Sequence, residues 1–201
     1  MIWSCINIKG GVAKTTTALL LASAAVQDGK TVKVYDTDPQ ASATLWAIQA
    51  EEIGDPLPYP VLPANVGTIR RLAHNKDDEL VIVDCPPSGN IVDEVAKVSD
   101  FIIIPTSPRS ADLSKTYETV STFEEAGKPY AVLLTSARKG TLALKGALTE
   151  LEDEGVSYCS SVIYQREDLA SYFGNALPLD GDLYGYTNVY EELKEATGYG
   201  D

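Results

Sequence analysis

Three uninterrupted apolar runs, at residues 80–83, 101–104 and 131–134, limit this chain to few folds. Each run is rich in Val, Ile or Leu, which is typical of a strand buried on both faces. Segments with helical character separate the runs, and this alternation favours a parallel sheet covered by helices. We therefore predict an α/β fold in which a mostly parallel, twisted sheet carries helices on both faces, in three α/β/α layers.

The remaining segments fit the same alternation. Two further strands are predicted at residues 2–8 and 31–35. Helices are predicted at residues 14–27, from residue 41, and at 141–154, 167–173 and 188–196. A connection without regular structure is predicted around Pro56, Pro58, Pro60 and Pro63. No repeat, low-complexity tract or linker divides the chain, so residues 1–201 are predicted to form a single domain.

Composition limits the compartment and the chemistry. The 201 residues are 44% apolar, enough for one sizeable core, and no stretch reads as an export signal or a membrane span. Cys5, Cys85 and Cys159 are far apart, which suits reduced thiols and predicts a cytoplasmic protein. His74 is the single histidine, which argues against histidine metal sites and Ser-His-Asp catalysis.

The formal net charge of −13 means that DNA and anionic lipid are repelled by the protein as a whole. Any contact with either must therefore be local. A local basic region exists, because no acidic residue lies between Glu125 and Glu150. The cations in that interval are Lys128, Arg138, Lys139 and Lys145.

A glycine-rich segment follows the first predicted strand and opens the first predicted helix. Glycines allow backbone N–H groups to point inward around phosphate oxygens, and the helix N-terminus adds unpaired N–H groups. The strict pattern G-x-x-x-x-G-K-[ST] is not met, because Ile8 and Ala13 occupy its glycine positions. The predicted nucleotide-binding residues are nevertheless Gly10, Gly11, Val12, Ala13, Lys14, Thr15 and Thr16.

Carboxylates follow two other predicted strands. Asp36 and Asp38 end the second strand, and Asp84 ends the apolar run at 80–83. Ligands of parallel sheets collect at the carboxyl ends of the strands, so these acids are expected near a bound nucleotide. An acid in that place suits the Mg²⁺ shell of a nucleotide hydrolase.

These three segments resemble the signature boxes of the ParA/MinD ATPases. Residues 9–16, Lys-Gly-Gly-Val-Ala-Lys-Thr-Thr, resemble the deviant Walker A box with its extra lysine. Asp36-Thr-Asp38-Pro-Gln40 resembles the A′ box, and Asp84-Cys-Pro-Pro resembles the Walker B box. The segments beginning at Leu133 and Tyr172 extend the likeness over most of the chain. The length is similar to that of small plasmid-type ParA proteins.

The resemblance implies a P-loop fold and a dimer that closes around two ATP molecules with Mg²⁺. Lys9 would cross to the partner's phosphates, and Lys14 would hold the phosphates of its own subunit. Thr15, Asp36 and Asp84 would serve the metal, while Asp38 would position or activate the attacking water. Thr16 would contact the α-phosphate, and Pro178 lies where the family often packs adenine. Ala13 departs from the usual glycine; its methyl costs little if the backbone is right-handed, and about 1 kcal/mol or more if φ is positive.

The resemblance also implies nonspecific DNA binding by the ATP-bound dimer, and hydrolysis stimulated by a ParB-like or ribbon-helix-helix centromere-binding protein. The predicted DNA-binding residues are Arg138, Lys139, Lys145 and Arg166. Such a protein would be nucleoid-associated and would act in plasmid or chromosome partition or in cargo positioning.

Two other functions remain open. A MinD-like ATPase would cycle on a membrane, but the acidic segment after Tyr190 has the wrong charge for a lipid surface, and no membrane partner is expected. A metabolic ligase or a tyrosine kinase could use the same scaffold; the kinase reading depends on Tyr184, Tyr186, Tyr190 and Tyr199. An iron–sulfur carrier is disfavoured by the scattered cysteines.

Overall fold

A computed structural model describes residues 1–73, 79–167, 169, 172, 174–175 and 181–200. The strands are β1 (Ile2–Cys5), β2 (Val32–Asp36), β3 (Val61–Pro63), β4 (Leu80–Asp84), β5 (Phe101–Thr106) and β6 (Tyr130–Leu134). They form one six-stranded sheet in the order β3-β2-β4-β1-β5-β6. Each of these neighbouring pairs is parallel, which confirms the predicted fold class.

The helices lie on both faces of this sheet. They are α1 (Lys14–Gln27), α2 (Ser42–Glu52), α3 (Val66–Leu72), α4 (Asn90–Val98), α5 (Ser110–Glu125), α6 (Leu142–Asp153) and α7 (Tyr186–Thr197). A 3-10 turn over Leu183–Gly185 leads into α7. None of the described helices is both long enough and apolar enough to cross a bilayer.

Alternating residues of the central strands pack into two separate hydrophobic cores, one on each face of the sheet. In β4, Leu80 and Ile82 join the core under α1, α2 and α7, while Val81 and Val83 join the core under α3 to α6. The alternation follows from the period of two along a strand. Burial on both faces explains why these strands read as continuous apolar runs.

Two predictions at the start of the chain need correction. β1 ends at Cys5 rather than at residue 8, because the chain leaves the sheet ahead of the glycine loop, residues 9–16. The Pro-rich connection is not irregular throughout: it contains β3, and α3 follows directly. Proline fits β3 because the strand lies at the edge of the sheet, where missing N–H groups are tolerated.

The opposite edge of the sheet is covered by an irregular segment. The amide of Val132 in β6 donates to the carbonyl of Ser157 at 2.8 Å, and Cys159 N–H donates back to Val132 at 2.9 Å. The amides of Ser160 and Ser161 donate to the carboxylate of Glu192 in α7, at 2.7 and 2.8 Å. Residues 157–165 therefore form hydrogen bonds along the outer edge of β6 but do not form a regular strand.

The last helices differ from their predicted bounds. The helix predicted at 188–196 begins at Tyr186 and ends at Thr197. Of the helix predicted at 167–173, only residues 167, 169 and 172 are described. His74 and Pro178 lie outside the described residues.

Candidate functional site

Three strands that end side by side bring the three signature segments together. In the register of the sheet, Cys5 pairs with Asp84, and Asp36 pairs with Asp84 on the other side. The glycine loop, residues 9–16, leaves β1 and enters α1 at Lys14. The segments are far apart in sequence but share one rim at the carboxyl ends of the strands, where parallel sheets bind ligands.

The glycine loop has an open concave face. A Cβ atom added to Gly10 or Gly11 would meet no atom within 4 Å, and Gly11 has a φ of 74°, a conformation that favours glycine. A cavity of about 600 Å³ lies in front of the loop. We call it the loop cavity; it is lined by Gly10, Gly11, Ala13, Lys14, Thr15, Thr16, Asp38, Gln40, Ser42, Trp46 and Pro87.

Ala13 adopts the conformation that an L-residue avoids. Its φ of 68° and ψ of 30° are left-handed. The methyl group of Ala13 therefore costs about 1 kcal/mol relative to a glycine, as expected for a positive φ. Ala41 at the start of α2 has a φ of 53°, and Ser136 has a φ of 52°. Non-glycine residues in such conformations are held by their surroundings and cluster at functional sites.

Val12 lies on the hidden side of the loop. Its side chain is buried, and its carbonyl accepts a hydrogen bond from the Thr135 hydroxyl at 3.2 Å. It therefore fixes the loop from behind and does not line the loop cavity.

Lys14 is folded onto the backbone of its own loop. Its Nζ donates to the carbonyls of Asn7 at 3.1 Å and Lys9 at 2.9 Å. Burial lowers the pKa of Lys14, and the nearby Asp84 carboxylate opposes that shift. A cation that is buried beside an open cavity is well placed to bind an anion in that cavity.

Asp84 is buried, and only one of its two carboxylate oxygens has a hydrogen-bond partner among the described residues. One carboxylate oxygen accepts from the Thr15 hydroxyl at 2.6 Å, and the other, Oδ1, has no hydrogen-bond partner among the described residues. Burial raises the pKa of Asp84 to about 7; Asp36 adds to the shift, while Thr15 and Lys14 oppose it. A buried oxygen without a partner, next to a threonine hydroxyl, suits a divalent cation.

Asp36 has a different environment from Asp84. One oxygen accepts from the amide and the hydroxyl of Thr44, both at 2.8 Å, and the other accepts from the Asp38 amide at 3.1 Å. It therefore anchors α2 to the end of β2. No group of three or more His, Cys, Asp or Glu with metal-binding geometry occurs among the described residues. Mg²⁺ needs no such cage, because it is bound through one or two carboxylates and phosphates.

Asp38 and Lys9 lie at the front of the site. Asp38 lines the loop cavity, and its Oδ1 accepts from the Gln40 amide at 2.9 Å. Lys9 does not line this cavity; its side chain is 41% exposed, with Nζ 3.6 Å from Oδ1 of Asp112 in α5. The Asp112 carboxylate is held by the Ser107 hydroxyl at 2.6 Å.

A smaller cavity of about 260 Å³ adjoins the glycine loop on the side of β6. Thr16 and Ala13 separate it from the loop cavity. Its other lining residues are Thr135, Ser136, Ile163, Tyr164, Gln165, Arg166, Leu169 and Tyr186. Sequence reasoning predicted Arg166 to bind DNA and did not group these residues into a site, although the segment from Leu133 was part of the resemblance.

Three of the four predicted DNA-binding residues share one cavity of about 660 Å³, the basic cavity. Arg138, Lys139 and Arg166 line it, and Lys145 does not. Each of the three contacts an uncharged group: Arg138 donates to Gln165 at 2.9 Å, while Lys139 and Arg166 lie over the rings of Tyr164 and Tyr184 at 4.7 and 5.4 Å. None of them forms an ion pair with another described residue.

Comparison with known proteins gives consistent results. Residues 3–179 match the model of the CobQ/CobB/MinD/ParA nucleotide binding domain. The chain is 36% identical over 205 residues to "Maintenance of carboxysome distribution protein A" of Gloeobacter kilaueensis, covering 94% of this chain and 91% of that protein.

Two solved structures share the fold at low identity. A plasmid partition protein of Borrelia burgdorferi bound to AMPPNP superposes with a TM-score of 0.74 at 19% identity, covering 97% of this chain and 98% of that chain. Cobyrinic acid a,c-diamide synthase of Mycobacterium smegmatis, with a bound ATP analogue and magnesium, gives 0.73 at 21%, covering 100% and 96%. On the family match, which spans most of the sequence, the chain belongs to the CobQ/CobB/MinD/ParA family of nucleotide-binding domains.

Proposed function

We propose that this chain is an ATPase domain over residues 1–201 that dimerises on ATP and positions a cargo in the cytoplasm. The observation that carries the proposal is the position of Lys9. It belongs to the glycine loop, yet it lies outside the loop cavity with a half-exposed side chain. A cation in that place can reach the phosphates of a facing subunit more readily than those of its own.

The remaining residues have separate roles in this proposal. Lys14 binds the β- and γ-phosphates, and Thr16 contacts the α-phosphate beside the smaller cavity, which would receive adenine. Thr15 and Asp84 hold Mg²⁺, which neutralises phosphate charge when it is bound. Asp38 positions the attacking water, and Asp36 supports the metal shell while anchoring α2. Pro178 stays a proposed adenine contact outside the described residues.

In this proposal, Lys9 is paired with Asp112 in the monomer, before ATP-dependent dimerisation. The Lys9–Asp112 pair is long, at 3.6 Å, and solvent reaches it only from the side of Lys9, whose side chain is 41% exposed against 12% for Asp112, so the interaction is weak. Lys9 can therefore exchange Asp112 for the γ-phosphate of a partner at small cost. Hydrolysis then depends on dimerisation, because the trans cation stabilises charge that develops on the phosphate oxygens.

The basic cavity supports nonspecific DNA binding by the dimer. Its three cations are oriented by neutral partners, so their charge is available to phosphates. The similarity to a carboxysome-distribution protein favours a protein assembly as the cargo. In this proposal the ATPase is nucleoid-associated and moves that cargo over a DNA surface. A ParB-like or ribbon-helix-helix protein is the corresponding partner that stimulates hydrolysis.

The two alternatives are less well supported. The apolar residues of α7, Val189, Tyr190 and Leu193, are buried in the core and so cannot serve a membrane. Tyr186 and Tyr190 are fully buried as well, which disfavours them as kinase substrates. A metabolic enzyme shares the fold, so the fold alone does not separate the two functions; a dimer that depends on ATP and on Lys9 would.

Size measurements test the proposal directly. We expect a monomer with ADP–Mg²⁺ and a dimer with ATP–Mg²⁺, measured by light scattering after size exclusion. Slow ATP turnover should accompany the dimer, measured with and without nonspecific DNA. A monomer in both nucleotides would remove the switch and leave only a nucleotide binder.

The DNA surface is tested by reversing charge in the basic cavity. We expect Arg138→Glu with Lys139→Glu to weaken ATP-dependent DNA binding at least about tenfold and to flatten its salt dependence, since phosphate contacts are lost. The control, Arg71→Glu with Lys115→Glu, makes the same change in net charge at exposed sites outside this cavity. Equal losses in both double variants would show that bulk charge, and not the cavity, governs binding.

A further inference from the structure

A polar stripe runs along the buried side of α5. Asp112, Thr116 and Thr119 are 8%, 0% and 2% exposed and are spaced i, i+4, i+7, so they share one face of the helix. Other buried positions of α5, such as Leu113, Val120 and Phe123, pack in the apolar core. Buried polar groups carry a cost unless they are paired, so the partners of this stripe show what it does.

The stripe contacts the end of β5, through Thr106 and Ser107, and also Asn7 and the two residues that follow it. The Asn7 amide donates to the Thr116 hydroxyl at 3.1 Å and to the Pro105 carbonyl at 2.9 Å. Thr119 is 3.4 Å from both the Asn7 Oδ1 atom and the Ile8 amide. Asp112 faces the Lys9 ammonium. The stripe therefore contacts residues 7, 8 and 9 in turn.

Asn7 connects α5 to the backbone of Lys9. It is fully buried, and its Oδ1 accepts from the Lys9 amide at 2.9 Å, while its own carbonyl accepts from Lys14 Nζ at 3.1 Å. Both N–H donors of the side-chain amide are used, and its oxygen accepts from the Lys9 amide. A network with every member satisfied has one low-energy arrangement and so fixes the orientation of the Lys9 backbone.

Resting on the proposed dimer switch, we propose that Asn7 and Thr116 are positioning residues for Lys9. Thr116 holds the Asn7 amide, and Asn7 holds the Lys9 amide, so the Lys9 side chain leaves the loop toward the facing subunit. Neither residue lines the loop cavity. Their effect appears only in steps that need Lys9 in trans, because a small misplacement of a reacting group is costly for rate.

Thr116→Val tests the chain of contacts with a nearly isosteric change. We expect ATP turnover and the dimer fraction in ATP to fall about tenfold, with ADP affinity within about twofold of wild type. Thr116→Ser, which keeps the hydroxyl, should restore both. Thr122→Val is the matched control: Thr122 is on the same helix and is exposed, and its hydroxyl bonds, within the described part of the chain, only to the carbonyl of Glu118.

A double variant shows whether Thr116 acts through Lys9. In a Lys9→Arg background, where a cation is kept so that turnover can still be measured, Thr116→Val should lower turnover by clearly less than tenfold, because the geometry that it holds is already altered. Fully additive losses, or an ADP affinity that falls with turnover, would overturn the positioning role. If Thr116→Val melts too early to assay, Thr119→Val breaks the longer contacts to Asn7 and should lower turnover about threefold at unchanged ADP affinity.

The outcomes separate the two proposals. Wild-type turnover in Thr116→Val beside inactive Lys9→Ala would overturn the positioning role and leave the dimer switch intact. Full activity in Lys9→Ala would overturn the switch itself, and the positioning role with it.

Discussion

Lys9→Ala is expected to give a protein that binds nucleotide normally but neither dimerises nor turns over ATP. Lys9 lies outside the loop cavity of its own chain, so binding of ADP should change by no more than about twofold. A cation supplied in trans to a phosphoryl group is worth about 10³-fold or more in rate, so turnover should fall to background.

The measurement pairs size exclusion in ATP with steady-state hydrolysis and ADP titration. Lys115→Ala is the matched control, since Lys115 is a half-exposed lysine on α5 whose only ion pair is with Glu118 among the described residues. That control should behave as wild type. A Lys9→Ala protein that still dimerises in ATP would contradict the trans assignment, and one that loses ADP affinity would indicate a role within its own subunit.

Asp84→Asn is expected to raise the stability of the metal-free protein while abolishing its Mg²⁺-dependent activity. The carboxylate is buried with one oxygen unpartnered, an arrangement that destabilises the charged form. Removing that charge should raise the melting temperature in EDTA by roughly 4–8 °C, which corresponds to about 2 kcal/mol for a chain of this size. Turnover should fall at least about 10²-fold, because an amide is a poor Mg²⁺ ligand.

The same group sets a pH dependence of the metal-free wild type. The pKa of Asp84 is raised to about 7 in the folded protein, above its ordinary value near 4, so the folded state binds the extra proton between those values. The contribution of Asp84 to the free energy of unfolding should therefore be greatest at about pH 4 and below, and should fall as the pH rises toward 7. Asp84→Asn should remove this dependence, measured as melting temperature against pH in EDTA.

Asp36→Asn is the comparison for Asp84→Asn. Both oxygens of Asp36 accept hydrogen bonds, from Thr44 and from Asp38, so its substitution should lower the melting temperature. Stabilisation by both variants would mean that burial alone, and not the missing partner of Asp84, decides the effect.

The sequence was sufficient for the parts of the site that depend on strand ends. Apolar runs revealed the buried strands, and because parallel strands end at one rim, the glycine loop, Asp36 and Asp84 could be placed together in advance. The connection containing Pro60 and Pro63 was wrongly read as irregular, because proline marks both turns and edge strands.

The missed features depend on contacts between distant segments. Thr116 and Thr119 look like ordinary polar helix residues until Asn7, more than 100 positions earlier, is seen to face them. The left-handed backbone of Ala13 was one of two alternatives that the sequence left open, because alanine by itself favours the right-handed conformation. Lys145 was grouped with Arg138 by nearness in sequence, but it does not line the basic cavity.

The two margins of the sheet limit how copies of this protein can associate. At one margin, Pro63 removes an amide donor from the three-residue strand β3; at the other, Glu192 occupies the amides of Ser160 and Ser161. Within the described residues, neither margin offers a neighbouring molecule a long regular ladder on which to add a strand. Fibres with a continuous intermolecular sheet are disfavoured, which leaves the loops at the rim for the nucleotide-dependent dimer that we propose.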